Sequence, residues 1–411
     1  MTYSHHSPTP AAPTTWRQAN PKTALALAAI AGSILLGAAL ATVPEASAGA
    51  AVPWSVVPSP SPGPVPSQDL LSGVSCASAS YCMAIGYEPT TRHGYVTLIE
   101  HWDGHRWSVL PSPNKGAATQ ADLLNGISCA SSSSCMAVGT AGNLPLAEHW
   151  DGQRWSIVAL AAGEDVLNGV SCPAPDDCVA AGYTSTGLAR TLIEAWNGTR
   201  WSVVPSPNPG PASQYTSSNS SAHALFDGVS CASPTWCAAV GTYVPSSGAE
   251  EDLAEMWDGH RWSLVPTPDK SSTANGLFGV SCTSAKWCLA VGDYEHVGYA
   301  TLTESWDGAK WSLVASPDRG PADLTDDLLG VSCLSARSCV AAGNAGVSPG
   351  GGEGATPLVE SWNGSKMSIV PSPAKGSSSG FGSVSCPPAG PCAAVGEYGA
   401  KSSVGTLIEM N

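Results

Sequence analysis

The sequence predicts an all-β fold: a seven-bladed β-propeller with four-stranded blades, one disulfide per blade, and an N-terminal strand completing the last blade. Three observations predict it. All 14 cysteines fall in seven pairs spaced by six residues. Around each pair, four short β-type runs separated by turn signals recur at intervals of 43 to 59 residues, a period that suits propeller repeats. No stretch after residue 48 carries the 3.6-residue apolar period of a helix.

Each copy reads in the same order. Strand A is the run around Gly73-Val74-Ser75-Cys76, and strand B is the apolar run ending in Gly, as in Cys135-Met136-Ala137-Val138-Gly139. Strand C is a segment such as Thr97-Leu98-Ile99-Glu100-His101-Trp102, and strand D is Trp107-Ser108-Val109-Leu110-Pro111. Between C and D stands Asp103-Gly104, Asp151-Gly152, Asn197-Gly198, Asp258-Gly259, Asp307-Gly308 or Asn363-Gly364. Both residue types tolerate positive φ, so these dipeptides are strong hairpin signals. The seventh copy stops at Thr406-Leu407-Ile408-Glu409-Met410-Asn411 without a strand D, and a spare D-like run, Trp54-Ser55-Val56-Val57-Pro58, stands before the first copy. One spare and one missing strand of the same type predict that the N-terminal run fills the outer edge of blade seven and removes an open sheet edge.

The cysteines pair in sequence as Cys76 with Cys82, Cys129 with Cys135, Cys172 with Cys178, Cys231 with Cys237, Cys282 with Cys288, Cys333 with Cys339, and Cys386 with Cys392. Five intervening residues suit an A–B hairpin that brings two Cβ atoms to disulfide distance. Zinc would call for Cys-x-x-Cys or mixed Cys/His sets, which no copy has.

Residues 1–48 read as an export signal, and 49–411 as the propeller. Arg17 and Lys22 precede an apolar run from 23 to 43, and Ala46-Ser47-Ala48 has the small-x-small cleavage pattern. The alternative is an uncleaved anchor at 23–43 with the propeller outside the membrane. Cleavage would leave 15 basic and 31 acidic residues of the 17 and 32 in the full chain, a formal charge of −16. That surface repels nucleic acid and anionic membranes. A monomer with no membrane insertion after cleavage is expected, with an unknown protein or glycan as ligand.

A glutamate recurs in strand C: Glu100, Glu148, Glu194, Glu255, Glu304, Glu360 and Glu409. A basic residue recurs before the strand-D Trp, as at Arg106, Arg154, Arg200, Arg261 and Lys310, with Lys366 in the matching place of copy six. The glutamates read as a hydrogen-bonded or ion-paired strut repeated once per blade, and the tryptophans as packing between blades rather than a sugar-stacking surface. No His-Glu-x-x-His or Gly-x-Ser-x-Gly occurs, and Gly350–Gly354 lacks the Lys-Ser/Thr of a phosphate loop. The acidic clusters Glu250-Glu251-Asp252 and Asp323 with Asp326-Asp327 lack calcium-loop spacing and read as solvated charge. No catalytic residue, metal or cofactor is assigned.

The string Gly-Val-Ser-Cys, Cys-x-Ala-Val-Gly, Thr-Leu-Ile-Glu-x-Trp, Asp/Asn-Gly-x-x-Trp-Ser-Val-Val-Pro-Ser-Pro resembles secreted actinobacterial repeat proteins. These are described as kelch-like or galactose-oxidase-like propellers, and the likeness covers about residues 51–411. It implies a fold and little more. The C–D turn also resembles the Asp-box of sialidases, but Asp103 and Gly104 are adjacent, one residue short of that box. Galactose-oxidase chemistry needs a Cys crosslinked to Tyr near copper, which a fully paired cysteine set does not offer.

A–B and C–D loops emerge on one face of a propeller and B–C and D–A loops on the other. The first set is nearly constant in length, whereas the second varies among 87–96, 140–146, 243–252 and 343–357, with 205–224 the longest D–A segment. Variable loops on a rigid frame are where binding tends to sit. The expected binding face draws on Arg92, His93, Tyr95, Tyr215, His223, Glu250, Glu251, Asp252, Tyr294, His296 and Glu353. Two functions fit: a non-catalytic extracellular or cell-surface binding or scaffold module, and a carbohydrate-active hydrolase or lyase. The second needs an acid/base set that breaks the repeat symmetry, and the sequence shows no such break beyond loop length.

Overall fold

The structure, a computed structural model, describes residues 53–411 apart from 64–67, 92–93, 116–120, 143, 162, 164, 186–188, 210–222, 246–247, 322, 348–353 and 401–402. The segment 1–48 read as an export signal lies outside these residues. The described chain holds 28 strands and no helix.

Strand β1 is Ser55–Val56. Copy one supplies β2 (Leu70–Ser78), β3 (Tyr81–Pro89), β4 (Tyr95–Trp102) and β5 (Trp107–Leu110). Copy two supplies β6 (Asp122–Ser131), β7 (Ser134–Ala141), β8 (Leu144–Trp150) and β9 (Trp155–Ile157). Copy three supplies β10 (Asp165–Ala174), β11 (Asp177–Thr184), β12 (Thr191–Trp196) and β13 (Trp201–Val203). Copy four supplies β14 (His223–Ser233), β15 (Trp236–Val244), β16 (Glu251–Trp257) and β17 (Trp262–Leu264). Copy five supplies β18 (Asn275–Ser284), β19 (Trp287–Glu295), β20 (Tyr299–Trp306) and β21 (Trp311–Leu313). Copy six supplies β22 (Thr325–Ser335), β23 (Ser338–Val347), β24 (Thr356–Trp362) and β25 (Met367–Ile369). Copy seven supplies β26 (Ser378–Ser385), β27 (Ala393–Ala400) and β28 (Ser403–Met410).

Within each copy the strands pair antiparallel in chain order. Copies one to four each form a four-stranded sheet, while copies five and six share an eight-stranded sheet joined at the parallel pair Tyr299–Thr325. In copy seven the fourth strand is β1, with Ser55 opposite Met410 and Val56 opposite Glu409.

Local chemistry sets the hairpins. In the C–D turn of copy one, Gly104 takes φ 94° and Asp103 Oδ1 accepts the N–H groups of His105 (2.8 Å) and Arg106 (2.9 Å). The same turn recurs at Asp151, Asn197, Asp258, Asp307 and Asn363. Each cysteine pair is a disulfide across the end of its A–B hairpin. Cys76 is bonded to Cys82, Cys129 to Cys135, Cys172 to Cys178, Cys231 to Cys237, Cys282 to Cys288, Cys333 to Cys339, and Cys386 to Cys392, with Cα atoms 3.9–4.1 Å apart. The second cysteine of each pair faces the core: Cys82, Cys135, Cys178, Cys237, Cys288, Cys339 and Cys392 are all buried. So short a loop yields about 2 kcal/mol per bridge by chain entropy.

The serine of each Gly-Val-Ser-Cys run ties its copy to the next. Cys129 N–H donates to Ser75 Oγ (2.9 Å), and the bond recurs at Cys172–Ser128, Cys231–Ser171, Cys282–Ser230, Cys333–Ser281 and Cys386–Ser332. Cys76 N–H then donates to Ser385 Oγ (3.0 Å), so the ladder returns to its start. Close approach of the A strands requires glycine: a Cβ on Gly126 would come within 2.6 Å of Asn168 O, and one on Gly228 within 2.9 Å of Phe278 O. The residue before the strand-A glycine is bulged out of register, and Ser72, Asn125 and Asn168 use that bulge to donate to the carbonyls of Leu124, Leu167 and Phe226. The apolar core lies between sheets rather than within them. One cluster joins Val179, Ala181 and Ile193 to Phe226 and Trp262, and another joins Leu71, Ala84 and Trp107 to Val395 and Ile408.

Ser171→Ala removes one rung, leaving the Cys231 N–H without its acceptor. The expected loss is about 1 kcal/mol, read as a lower denaturant midpoint with unchanged slope. An unchanged midpoint would show the rung to be idle.

Candidate functional site

The seven strand-C glutamates are fully buried. For five of them the partner is a serine hydroxyl, followed by proline, in the segment after the fourth strand of the preceding sheet. Ser112 Oγ donates to Glu148 (2.7 Å), Ser206 to Glu255 (2.9 Å), Ser316 to Glu360 (2.7 Å) and Ser372 to Glu409 (2.8 Å). Ser59, just after β1, donates to Glu100 (3.0 Å), and in copy three the Ala161 N–H donates to Glu194 (2.9 Å). The strut is therefore hydrogen-bonded, not ion-paired. Arg106, Arg154 and Arg261 instead lie 3.7–3.9 Å from the exposed turn aspartates, where a pair adds little. Burial pushes Glu100, Glu148 and Glu255 up to about 8 and Glu360 and Glu409 up to about 7, against the lowering effect of the serine bonds.

The tryptophans pack. Five C–D pairs place their ring centroids 5.7–5.9 Å apart. Trp102, Trp150, Trp306 and Trp362 donate Nε1–H to carbonyls of the A–B turns at 3.0–3.2 Å. The strand-D indoles differ: Nε1 of Trp107, Trp155, Trp201 and Trp311 is buried with no acceptor among the described residues.

The repeat breaks at copies four and five. The residue three before each strand-C glutamate is Thr97, Pro145, Thr191, Asp252, Thr301, Pro357 and Thr406 in turn. Thr191 and Thr301 donate their hydroxyls to Asn208 (3.3 Å) and Asp318 (3.0 Å) in the segment after the fourth strand. Copy four has Asp252 facing Asp269, so an acceptor stands where the other copies hold a donor or a proline. Asp269 Oδ1 still takes the Asp252 backbone N–H (3.4 Å). Thr267, in the strut-serine position, turns away from Glu304 and donates to the Asp252 carbonyl (3.1 Å). The buried Asp252 and Glu304 carboxyls then stand as electrostatic neighbours. No donor among the described residues reaches either oxygen of Asp252 or of Glu304. Burial first, then neighbouring carboxylates, push Asp252 up to about 8 and Glu304 up to about 9.

This corrects two expectations. Asp252 and Asp326 are 4% and 2% exposed, not solvated. Asp326 is a loop buckle, accepting N–H groups from Arg319 (2.6 Å), Gly320 (2.7 Å) and Gly346 (2.8 Å). The symmetry break that loop lengths alone did not reveal is present in the strands. More carboxyls crowd the same sector: burial, then Glu250, raises Asp227 to about 7, and burial, then Asp327 and Glu250, raises Asp293 to about 7.

A cleft of about 380 Å³ opens beside Asp252, with Asp269, Glu251 and Tyr243 at its polar side and Leu253, Val265 and Pro266 among its apolar walls. The Tyr243 hydroxyl donates to Glu251. Of the expected binding-face residues, Glu251 and Asp252 line this cleft. Glu250 is tied by its backbone to Thr273 and Asn275 (both 3.1 Å). Tyr294 and His296 stack at 6.4 Å, with Lys270 Nζ 3.9 Å above the Tyr294 ring. Tyr95 sits in copy one, donating to Gln68 (2.8 Å) and edge-on to Tyr87, and His223 opens β14. Arg92, His93, Tyr215 and Glu353 lie outside the described residues. Sequence reasoning passed over Asp269, Asp293, Asp227 and Glu304 as site residues. Aligning the copies position by position would have singled out Asp252, since threonine or proline stands at its place in every other copy.

No family model matches the sequence, and no curated protein matches it. Solved structures do. The structure of U3-55K aligns over 88% of this chain and 98% of its own at 10% identity and a TM-score of 0.57. The RRP9 WD40 repeats align over 87% and 97% at 11% identity and 0.56. YCF48 from Cyanidioschyzon merolae aligns over 88% and 99% at 14% identity and 0.50. These likenesses, with the recurring four-stranded antiparallel sheets, make this chain a β-propeller. At such identities they speak to the fold alone.

Proposed function

We propose that the chain is an exported, seven-bladed, kelch-like propeller acting as a non-catalytic extracellular or cell-surface binding module. Its ligand, a protein or a glycan, sits on the face of the B–C and D–A loops. One observation carries this reading. The A–B and C–D turns repeat the same hydrogen bonds copy after copy, whereas the opposite side holds the unmatched carboxyls and cleft of copies four and five. The seven-blade count rests on treating the two halves of the eight-stranded sheet as separate blades, and on the seven-rung serine ladder. Seven disulfides suit an oxidising compartment.

The hydrolase or lyase reading gains nothing from Asp252 and Glu304. Glycosidase carboxyls must flank a bond that substrate brings between them, roughly 5–9 Å apart, and the oxygens of these two are closed to solvent. The test is a glycan and cell-wall polymer array probed with the mature protein and with a variant whose 343–357 and 243–252 loops are replaced by the short 140–146 version. Products are followed in parallel. Binding by the wild type and its loss in the variant are expected. Undiminished binding by the variant sinks the face assignment, and product formation sinks the non-catalytic one.

A further inference from the structure

We infer that a sugar site lies at the seam of copies three and four, where a pocket takes one pyranose ring between Trp257 and Trp262 on its apolar side and Asp176 and Asp177 on its hydroxyl side. The pocket opens among the A–B turn residues Asp176 and Pro234 and the C–D turn residue Asn197. It is therefore on the side opposite the face proposed above, and the inference stands apart from that reading.

A missing packing partner makes the pocket. The strand-C and strand-D tryptophans of each copy pack against the copy before, and two side chains there fill the space. The first precedes the second cysteine: Tyr81 packs with the cluster of Trp150, Trp236 with that of Trp306, and Trp287 with that of Trp362. The second follows the strand-C glutamate: His149 stacks on Trp196 at 6.5 Å, Met256 packs with Trp306, and Met410 with Trp102. Copy three holds Asp177 and Ala195 at these places. Every other copy that faces a strand-C tryptophan keeps at least one large filler, and copy three keeps neither. The space left beside Trp257 and Trp262 is about 280 Å³. That is just below the roughly 300–1,000 Å³ of drug-sized ligand sites, which suits a single ring. Trp257 is accordingly the one strand-C tryptophan that is only partly buried.

The polar groups around this space choose the ligand. In copies one, two, five and six the strand-C indole donates to a carbonyl of its own A–B turn. Pro234 occupies that turn position in copy four, and Trp257 makes no such bond among the described residues. Its Nε1 is not closed off from solvent as the strand-D indoles are. Asp176 is exposed and Asp177 half-buried, and among the described residues no ion pair takes up either carboxylate. Burial, then Asp176, raises the Asp177 carboxyl, as expected where no cation stands by. The pocket thus offers an aromatic wall, a donor and two acceptors. A sugar ring answers all three, since its C–H face is apolar and its hydroxyls both donate and accept. A quaternary ammonium would use the aromatic wall and the charge but leave the indole donor unanswered. Two aspartates repel an anion.

Calorimetric titration of the mature protein tests this. The probes are the methyl glycosides of D-glucose, D-galactose, D-mannose and N-acetyl-D-glucosamine, with choline chloride as the cationic arm. Ala195→His places in copy three the histidine of copies one and two, so it fills the pocket and should hold or raise the melting temperature. Asp177→Ser takes the residue of copy two and leaves the aromatic wall in place. The expected result is saturable binding of at least one glycoside, abolished in A195H and weakened about tenfold in D177S. Shortening the 343–357 and 243–252 loops should leave it unchanged. No binding of any of the glycosides, equal binding in A195H, or choline binding lost in A195H without any sugar binding each overturns the inference. Should A195H melt lower than the wild type, D177S carries the test, and undiminished binding in it overturns the site. Glycoside binding lost on loop shortening but kept in A195H refutes this inference and leaves the binding-module reading standing. The converse pattern keeps the sugar site and refutes the face proposed for the module.

Discussion

Raising the pH from 5.5 to 8.5 should lower the melting temperature of this protein. Buried glutamates drive the effect. Glu100, Glu148, Glu255, Glu360 and Glu409 are fully buried, and burial raises each into the range of about 7 to 8. In the unfolded chain the same groups release their protons near pH 4.3. Between those values the native state binds more protons than the unfolded state, so stability falls as pH rises. It is fully present below the unfolded value and lost through the folded one. A tenfold difference in proton affinity is worth about 1.4 kcal/mol per group. On that conservative basis alone, five glutamates give up about 7 kcal/mol. His101 and His149 act in the opposite sense at the acid end, because burial lowers them and their charging in the unfolded chain costs stability as pH falls below about 6.5. With five glutamates against two histidines, the maximum should lie near the unfolded glutamate value, at about pH 4 to 5. Calorimetric scans across the range, with Glu148→Gln as a variant of weaker pH dependence, decide the matter. A melting temperature that holds or rises up to pH 8.5 removes the glutamates as the source.

The all-β class and the strand order within a copy were legible because both are local. Asp103-Gly104 forms its turn from two adjacent residues, and the bridge from Cys76 to Cys82 closes over five residues. Contacts between copies were not legible in the same way. The partner of Glu148 is Ser112, in the segment after the previous copy's fourth strand, and the acceptor for Cys231 N–H is Ser171, a full repeat earlier. Repeat periodicity shows that serine and glutamate recur but not that they meet. The cleft was hidden for another reason. Asp252 reads as the third member of an acidic run, yet in β16 it is buried where the neighbouring Glu251 is only half-buried. Composition cannot separate a buried carboxyl from its solvated neighbours.

Deleting residues 49–62 should cost more than any single interior substitution. Among the described strands, β1 is the only fourth strand that does not follow its neighbour along the chain, so it is held by contacts alone. Trp54 is 4% exposed and packs with Ala342 and Val359 of copy six and Phe381, Ala394 and Leu407 of copy seven. Trp54→Ala by itself is worth about 3–5 kcal/mol. Deletion also removes the Val57 N–H bond to the Ile408 carbonyl (2.9 Å), the acceptor Ser61 for Thr406 N–H (3.1 Å), and the Ser59 hydroxyl from Glu100. Glu100 would then lose its serine donor, and β28 would present an open edge. The two copies at the seam should loosen before the rest. Hydrogen exchange should show Ser403–Met410 and Tyr95–Trp102 losing protection ahead of copies three to five. Equal protection and an unchanged melting temperature in the truncated chain would mean that the seam is held by the Cys76–Ser385 rung and the Leu71–Val395 contacts, with β1 dispensable.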